Sequence, residues 1–130
     1  MSNTEIVRSL YEAFGEGDVE TAFGLMAPDI EWREAENQPS AEGNPYVGPQ
    51  EVGEGVFGLL MAAFEGFQVA PETFVAEGDH VVALGRYTGT HRASGAPLDA
   101  AFAHVWTVRD GTLVAFQQHT DTAQMSRIMG

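Results

Sequence analysis

Two polar residues with acid–base chemistry lie beside aromatic residues in the sequence. Glu34 follows Trp32 at the end of a short apolar segment, and His104 lies between Phe102 and Trp106. A carboxylate that faces an apolar wall has its charged form disfavoured, which raises its pKa toward the range of a general base. A histidine among aromatic rings can donate a hydrogen bond to an oxyanion or satisfy a structural partner. Glu34 could equally be a solvated residue at the end of a strand.

Arg86 is the third candidate. A guanidinium could pair with Glu34 or hold a substrate carboxylate, although a structural ion pair is the more frequent role of such a residue. The 130 residues include no lysine and no cysteine, which excludes Schiff-base and thiolate chemistry. His80, His91 and His119 show no metal-ligand spacing, so we predict no metal and no cofactor.

Charge and length limit the partners. The formal charge of -13 disfavours nucleic acid and anionic membranes, because both bind clustered basic side chains. The first residues lack the basic start and apolar run of a secretory signal, which predicts a cytoplasmic protein. A chain of this size is expected to form one domain over residues 1–130.

The hydrophobic pattern predicts the elements that must position these residues. Ser2 and Glu5 form a capping box before a helix that ends near Gly15, and Asp18 caps a second helix that ends before Pro28. Further segments are a strand at residues 30–34, a loop at 35–46, a helix at 49–64, and strands at 67–76, 80–92, 97–108 and 112–121. Residues 122–130 are left unassigned. The order ααβαββββ predicts an α+β domain with a mostly antiparallel sheet.

Several strings of residues resemble the SnoaL-like branch of the nuclear transport factor 2-like superfamily, which is related to ketosteroid isomerase. They are residues 11–18, 28–32, 45–48, 85–90 and 104–111, and the similarity spans essentially the whole chain. The resemblance implies a cone-shaped α+β barrel in which a curved sheet wraps around three helices and encloses a deep pocket. It also implies a homodimer. It does not define a reaction, because this scaffold carries many functions.

Strand alternation then decides which side chains enter that pocket. Phe102, His104 and Trp106 share one face of their strand. Gln118 joins that face if the turn at residues 109–111 is a three-residue loop, and a two-residue turn would reverse this. Arg86 shares its face with Thr88, and Glu34 shares its face with Trp32.

The resemblance also implies roles for individual residues. Tyr11 matches the oxyanion-hole tyrosine of ketosteroid isomerase, Glu34 its general base, and His104 replaces its protonated aspartate while keeping the ability to donate. Compared with SnoaL-like polyketide cyclases, the catalytic aspartate falls at Gln118. Compared with limonene epoxide hydrolase, Arg86 matches but the two aspartates fall at Thr88 and Gln118. Neither of these two mechanisms is intact in this chain.

Two functions follow as hypotheses. The first is an isomerase or cyclase that acts without a cofactor on a small apolar, polyketide-like or steroid-like carbonyl compound. In it Glu34 moves the proton, His104 and Tyr11 stabilise the enolate, and other residues orient or enclose the substrate: Arg86, Gln118, Thr88, Trp32, Phe102 and Trp106. The second is a non-catalytic binding or dimeric interaction module. A pocket sealed by aromatic rings would favour the second, and converging Glu34, Arg86 and His104 would favour the first.

Overall fold

The computed structural model describes residues 1–129, which fold into a curved six-stranded sheet with helices on its concave side. The strands are β1 (Met26–Arg33), β2 (Tyr46–Val47), β3 (Phe64–Glu77), β4 (His80–His91), β5 (Pro97–Arg109) and β6 (Thr112–Thr120). The helices are α1 (Asn3–Gly15), α2 (Val19–Gly24), α3 (Gly48–Val52), α4 (Gly58–Ala63) and α5 (Thr122–Met129), with a π-helical turn at Gly53–Phe57 and a 3-10 turn at Pro39–Gly43.

The sheet has the order β2-β1-β6-β5-β4-β3 and does not close into a barrel. Only β1 and β6 run parallel, and the other neighbours are antiparallel. This confirms the predicted α+β class and its mostly antiparallel sheet. No helix among residues 1–129 has the length and apolarity needed to cross a membrane.

The first helix forms as predicted because its start is capped. Ser2 Oγ accepts a hydrogen bond from the Glu5 backbone N–H, and the Glu5 carboxylate accepts one from the Ser2 backbone N–H. The apolar face of α1 is buried against the sheet, with Leu10 fully inaccessible and Tyr11 6% exposed. Tyr11 is therefore held on the inner side of α1.

The helix predicted over residues 49–64 is continuous but contains the π turn. Val52, Val56 and Leu60 remain buried along it. A Cβ on Gly55 would collide with the ring of Tyr46, so the glycine lets this helix approach that ring closely. The helix therefore packs closely against an aromatic side chain of β2.

The hairpin between β5 and β6 differs from the three-residue loop considered above. Arg109 pairs with Thr112, so the turn consists of Asp110 and Gly111, both at positive φ. A two-residue turn alone would send Gln118 to the outer face. A register shift between Thr107 and Val108 restores the parity, and Gln118 lies opposite His104.

Candidate functional site

A cavity of about 490 Å³ lies between the helices and the concave face of the sheet, which is within the size range of small-molecule sites. Its wall is mostly apolar and includes Leu10, Phe14, Val56, Leu60, Phe67 and Phe116. Its border includes exposed residues at the end of α1, on α4 and on β3: Gly17, Met61 and Gln68. The cavity therefore reaches solvent and is not sealed by the aromatic residues.

Glu34 is the one carboxylate in the cavity wall, directly after β1. Its side chain is buried, with the residue only 2% exposed. Trp32 Nε1 donates a hydrogen bond to one carboxylate oxygen at 3.0 Å, and Ser40 Oγ donates to the other at 2.7 Å. Burial raises the pKa of Glu34, and these two hydrogen bonds oppose the rise in part. The alternative of a solvated glutamate is wrong.

The segment predicted as a plain loop holds Glu34 in place. Asn44 makes a pair of hydrogen bonds with the Glu34 backbone, accepting from its N–H at 2.8 Å and donating to its carbonyl at 2.9 Å. The Tyr46 hydroxyl donates to the Ser40 carbonyl at 2.5 Å. Ser40 is itself 3% exposed. These contacts fix the serine hydroxyl beside the carboxylate, a role that the loop's composition did not reveal.

His104, on β5, also lies in the cavity wall and is buried. Its Nδ1 is 2.6 Å from the Tyr11 hydroxyl oxygen, and its Nε2 makes a short hydrogen bond with the Tyr87 hydroxyl. The Phe102 ring stacks on the imidazole with the two centroids 3.9 Å apart. Burial, with a smaller contribution from His119, lowers the pKa of His104 to about 3. The imidazole is therefore neutral at neutral pH.

The two tyrosines extend this contact into a network. Trp106 Nε1 donates to the Tyr11 oxygen at 2.9 Å, and Gln118 Nε2 donates to the Tyr87 oxygen at 3.0 Å. Gln118 Oε1 accepts from the Ala35 backbone N–H at 3.1 Å. Burial raises the pKa of both tyrosines, and repulsion by Glu34 adds to the rise at Tyr87. Both hydroxyls are therefore protonated at neutral pH.

Arg86 does not reach the cavity, which corrects its assignment to the site. On β4 the residues opposite Ala100 and His104 are Tyr87 and Ala83, so the odd-numbered residues face inward. Arg86 lies on the outer face, where its Nε is 2.7 Å from an Asp99 carboxylate oxygen. Both side chains are about half exposed or more, so this is a surface ion pair.

Thr88 shares the outward parity of Arg86 and is likewise outside the cavity wall. Phe102 is on the inward side of β5, but it packs behind His104 and does not line the cavity. The other proposed wall residues, Trp32, Trp106 and Gln118, do line it. The structure thus brings together Glu34, His104, Tyr11 and Gln118 from the predicted set.

Tyr87, like Ser40, is a site residue that the sequence did not indicate. The signal available was parity, because Val81, Ala83 and Tyr87 form an apolar alternation that ends beside Arg86. Gly85 belongs to the same series, and a Cβ there would lie 2.7 Å from Phe102 Cζ. The glycine makes room for the ring that stacks on His104.

The electrostatic character of the cavity follows from this placement. The lining residues contain one acidic side chain and no arginine or lysine. Within residues 1–129, no three His, Asp or Glu side chains lie close enough together to hold a metal ion. The arrangement can abstract a proton at Glu34 and donate hydrogen bonds from neutral hydroxyls, but it offers no positive charge to an anionic ligand.

Comparison with known proteins agrees with this architecture. A family model described as a SnoaL-like domain matches residues 7–116. An NTF2-like protein from Burkholderia thailandensis is 32% identical, covering 100% of this chain and 98% of its own, with a TM-score of 0.93. No curated protein matches the chain.

Two further solved structures resemble the chain at lower identity. TerC, co-crystallised with polyporic acid, is 26% identical over 97% of this chain and 96% of its own, with a TM-score of 0.84. IdmH, a candidate polyketide cyclase from Streptomyces antibioticus, is 27% identical over 100% of this chain and 99% of its own, with a TM-score of 0.81.

Proposed function

Because the chain belongs to the SnoaL-like family, we propose that its cavity catalyses an isomerase or cyclase type of reaction on a small, uncharged carbonyl compound without a cofactor. The observation that carries the proposal is that a general base and a set of hydrogen-bond donors line one cavity. Glu34 is a buried carboxylate with a raised pKa, and Tyr11, His104 and Tyr87 form a neutral hydrogen-bond network in the same wall.

The reaction begins with proton transfer to Glu34. Its carboxylate takes a proton from the carbon next to the substrate carbonyl, which forms an enolate and a neutral glutamic acid. A tyrosine hydroxyl donates a hydrogen bond to the enolate oxygen, where negative charge develops. In an isomerisation, Glu34 returns the proton to a different carbon. In a cyclisation, the enolate carbon attacks a second carbonyl of the same molecule, and the new alkoxide takes the proton.

The environment of Glu34 suits this cycle of gaining and losing a proton. Burial disfavours the carboxylate, while the hydrogen bonds from Trp32 and Ser40 stabilise it. A base whose pKa is raised toward the working pH transfers protons efficiently in both directions. His104 remains neutral and acts through the tyrosines that it contacts.

The cavity wall supports an apolar, uncharged substrate. Trp32, Trp106 and Phe116 pack together, with the Trp32 and Phe116 rings stacked at 3.8 Å. Since the lining residues include no cation, a substrate carboxylate has no counter-ion there and would be repelled by Glu34. The similarity to a candidate polyketide cyclase and to a protein crystallised with polyporic acid supports an aromatic or polyketide-like substrate.

Hydrogen–deuterium exchange into a ketone tests the proposal without knowledge of the substrate. The probe is 2-tetralone, a bicyclic ketone with acidic α-protons, incubated with the protein in D2O and followed by NMR. We expect the protein to accelerate exchange and Glu34→Gln to slow the protein-dependent rate by about 100-fold or more. The matched control is Glu36→Gln, two residues away and exposed, which is expected to exchange at the native rate. Equal rates in both variants would refute the role of Glu34.

A non-catalytic binding module is the second candidate, and one observation favours it. Each Glu34 carboxylate oxygen and each His104 nitrogen already has a hydrogen-bond partner within the protein. Such contacts suit side chains that stabilise the cavity wall and take no part in a reaction. Calorimetry with 2-tetralone separates the two functions. Binding without α-proton exchange supports the module, and exchange above the buffer rate supports the enzyme.

We also propose that the protein forms a homodimer through the outer face of the sheet. Val82 pairs with Val105 and Leu84 with Ala103 on that face, and Leu84 is 39% exposed. Light scattering after gel filtration is expected to give twice the mass of 14.0 kDa. Leu84→Glu should give a monomer, whereas Leu59→Glu, at a similarly exposed position on α4, should not. A native monomer would refute this interface.

A further inference from the structure

The hydrogen-bond network around His104 contains one more proton than its internal contacts can use. His104 makes two contacts within the network, one to Tyr11 and one to Tyr87. A neutral imidazole has a single N–H, and each tyrosine hydroxyl has one proton of its own. Three protons are therefore available for two hydrogen bonds.

The remaining contacts of the two tyrosines do not use the extra proton. Trp106 donates its N–H to the Tyr11 oxygen, and Gln118 donates an amide N–H to the Tyr87 oxygen. In both contacts the tyrosine oxygen accepts, because an indole N–H can only donate and Gln118 Oε1 is occupied by the Ala35 N–H. One hydroxyl proton is thus left over, on Tyr11 or on Tyr87.

We propose that the tautomer of His104 selects which tyrosine, Tyr11 or Tyr87, donates a hydrogen bond to the carbonyl oxygen of a ligand in the cavity. With the proton on Nδ1, the imidazole donates to Tyr11, Tyr87 donates to Nε2, and the Tyr11 proton is free. With the proton on Nε2, the imidazole donates to Tyr87, Tyr11 donates to Nδ1, and the Tyr87 proton is free. Both tyrosines line the cavity, so either can serve a ligand.

This mechanism defines the class of ligand more closely than the cavity's shape does. The network supplies one free hydroxyl donor at a time, so it fits a molecule with a single carbonyl or enolate oxygen at this end of the cavity. A hydrocarbon of the same size leaves that proton without a partner in a buried site, which costs free energy. A carboxylate would need a second donor beside this hydroxyl or a cation, whereas the network frees one hydroxyl at a time and the lining residues include no lysine or arginine.

Binding of matched probes tests the inference. The probes are 2-acetonaphthone, which can accept a hydrogen bond, and 2-ethylnaphthalene, which cannot. We expect the ketone to bind the native protein about tenfold more tightly, the factor that corresponds to one net hydrogen bond. Tyr11→Phe and Tyr87→Phe are then measured with both probes, and the hydrocarbon reports whether each variant keeps the cavity.

Nitrogen-15 NMR of histidine-labelled protein supplies an independent reading of the tautomer. The His104 resonances are those missing from His104→Gln, and the remaining three histidines serve as references because they lie outside the cavity wall. If the native ketone complex carries the proton on Nδ1, Tyr87→Phe should keep the tenfold preference, and Tyr11→Phe should lose it or keep it only with the proton moved to Nε2, which frees the Tyr87 hydroxyl. If the native complex carries the proton on Nε2, Tyr11→Phe should keep the preference, and Tyr87→Phe should lose it or keep it only with the proton moved to Nδ1. Loss of the preference in the variant that retains the selected tyrosine, a retained preference without that proton move, His104 protonated on both nitrogens, or no preference in the native protein overturns the inference.

A fluorine label in the otherwise native protein tests the inference even if a tyrosine variant fails to fold. The chain has three tyrosines, so 3-fluorotyrosine gives three fluorine resonances, with Tyr46 outside the cavity wall as the reference. Ketone binding should shift most strongly the resonance of the tyrosine that the tautomer selects, and an equal shift of Tyr11 and Tyr87 would contradict the inference. The inference rests on the proposed use of the cavity for carbonyl ligands but not on turnover. A protein that couples tautomer to ketone binding yet exchanges no α-protons would support it while refuting the proposed enzyme.

Discussion

Replacing Glu34 by glutamine should stabilise the fold at neutral pH, and the gain should depend on pH. The folded protein buries this carboxylate almost completely, and burial raises its pKa above the value in the unfolded chain. Between the unfolded and folded pKa values the native state binds more protons than the unfolded state. The free energy of unfolding therefore falls as pH rises through that window and stays lower above it.

The size of the effect follows from the pKa difference. Each unit by which the folded pKa exceeds the unfolded one lowers the free energy of unfolding by about 1.4 kcal/mol above the window. Glutamine carries no charge at any of these pH values. Its amide can accept from Trp32 Nε1 and donate to Ser40 Oγ, because a serine hydroxyl can reverse its role. The variant thus removes the cost of the buried charge and keeps two hydrogen bonds.

Urea denaturation of both proteins at a series of pH values from 4 to 8 measures this effect. The difference in unfolding free energy, variant minus native, should grow with pH and then level off. The other titratable groups are the same in both proteins, so their contributions cancel in this difference. Glu36→Gln, at an exposed position, should show no such growth. A difference that stays constant with pH, or that grows toward acid pH, would refute a raised pKa for Glu34.

Three further predictions test the surroundings of the site. Ser40→Ala removes a hydrogen bond to the Glu34 carboxylate, so the pH profile of α-proton exchange should shift to higher pH. Arg86→Ala breaks an exposed ion pair and an exposed hydrogen bond with Asp99, so the unfolding free energy should change little and exchange should be unchanged. Gly85→Ala should lower the unfolding free energy by about 1–3 kcal/mol through overpacking, whereas Gly24→Ala, which has open space, should not.

Features that depend on near neighbours in the chain could be predicted. The capping box at Ser2 and Glu5 determines where α1 begins, because both hydrogen bonds span three residues. Buried and exposed residues alternate along β5, and this alternation by itself places His104 on the buried face. The sequence places Gln118 on the same face as His104 only if the turn has three residues, whereas the structure places it there through a two-residue turn and a bulge.

The sequence by itself determined the α+β class, the position of Tyr11 on a buried helix face and the side of β5 that faces inward. It also excluded chemistry that needs a lysine or cysteine side chain, because the chain contains neither. Tertiary structure alone decided that Tyr87 and not Arg86 enters the cavity, because a shift of one residue in strand register exchanges the two faces. It also decided that Glu34 is buried. That burial depends on Ser40, Asn44 and Tyr46, whose contacts form only when an irregular segment folds back over the end of β1.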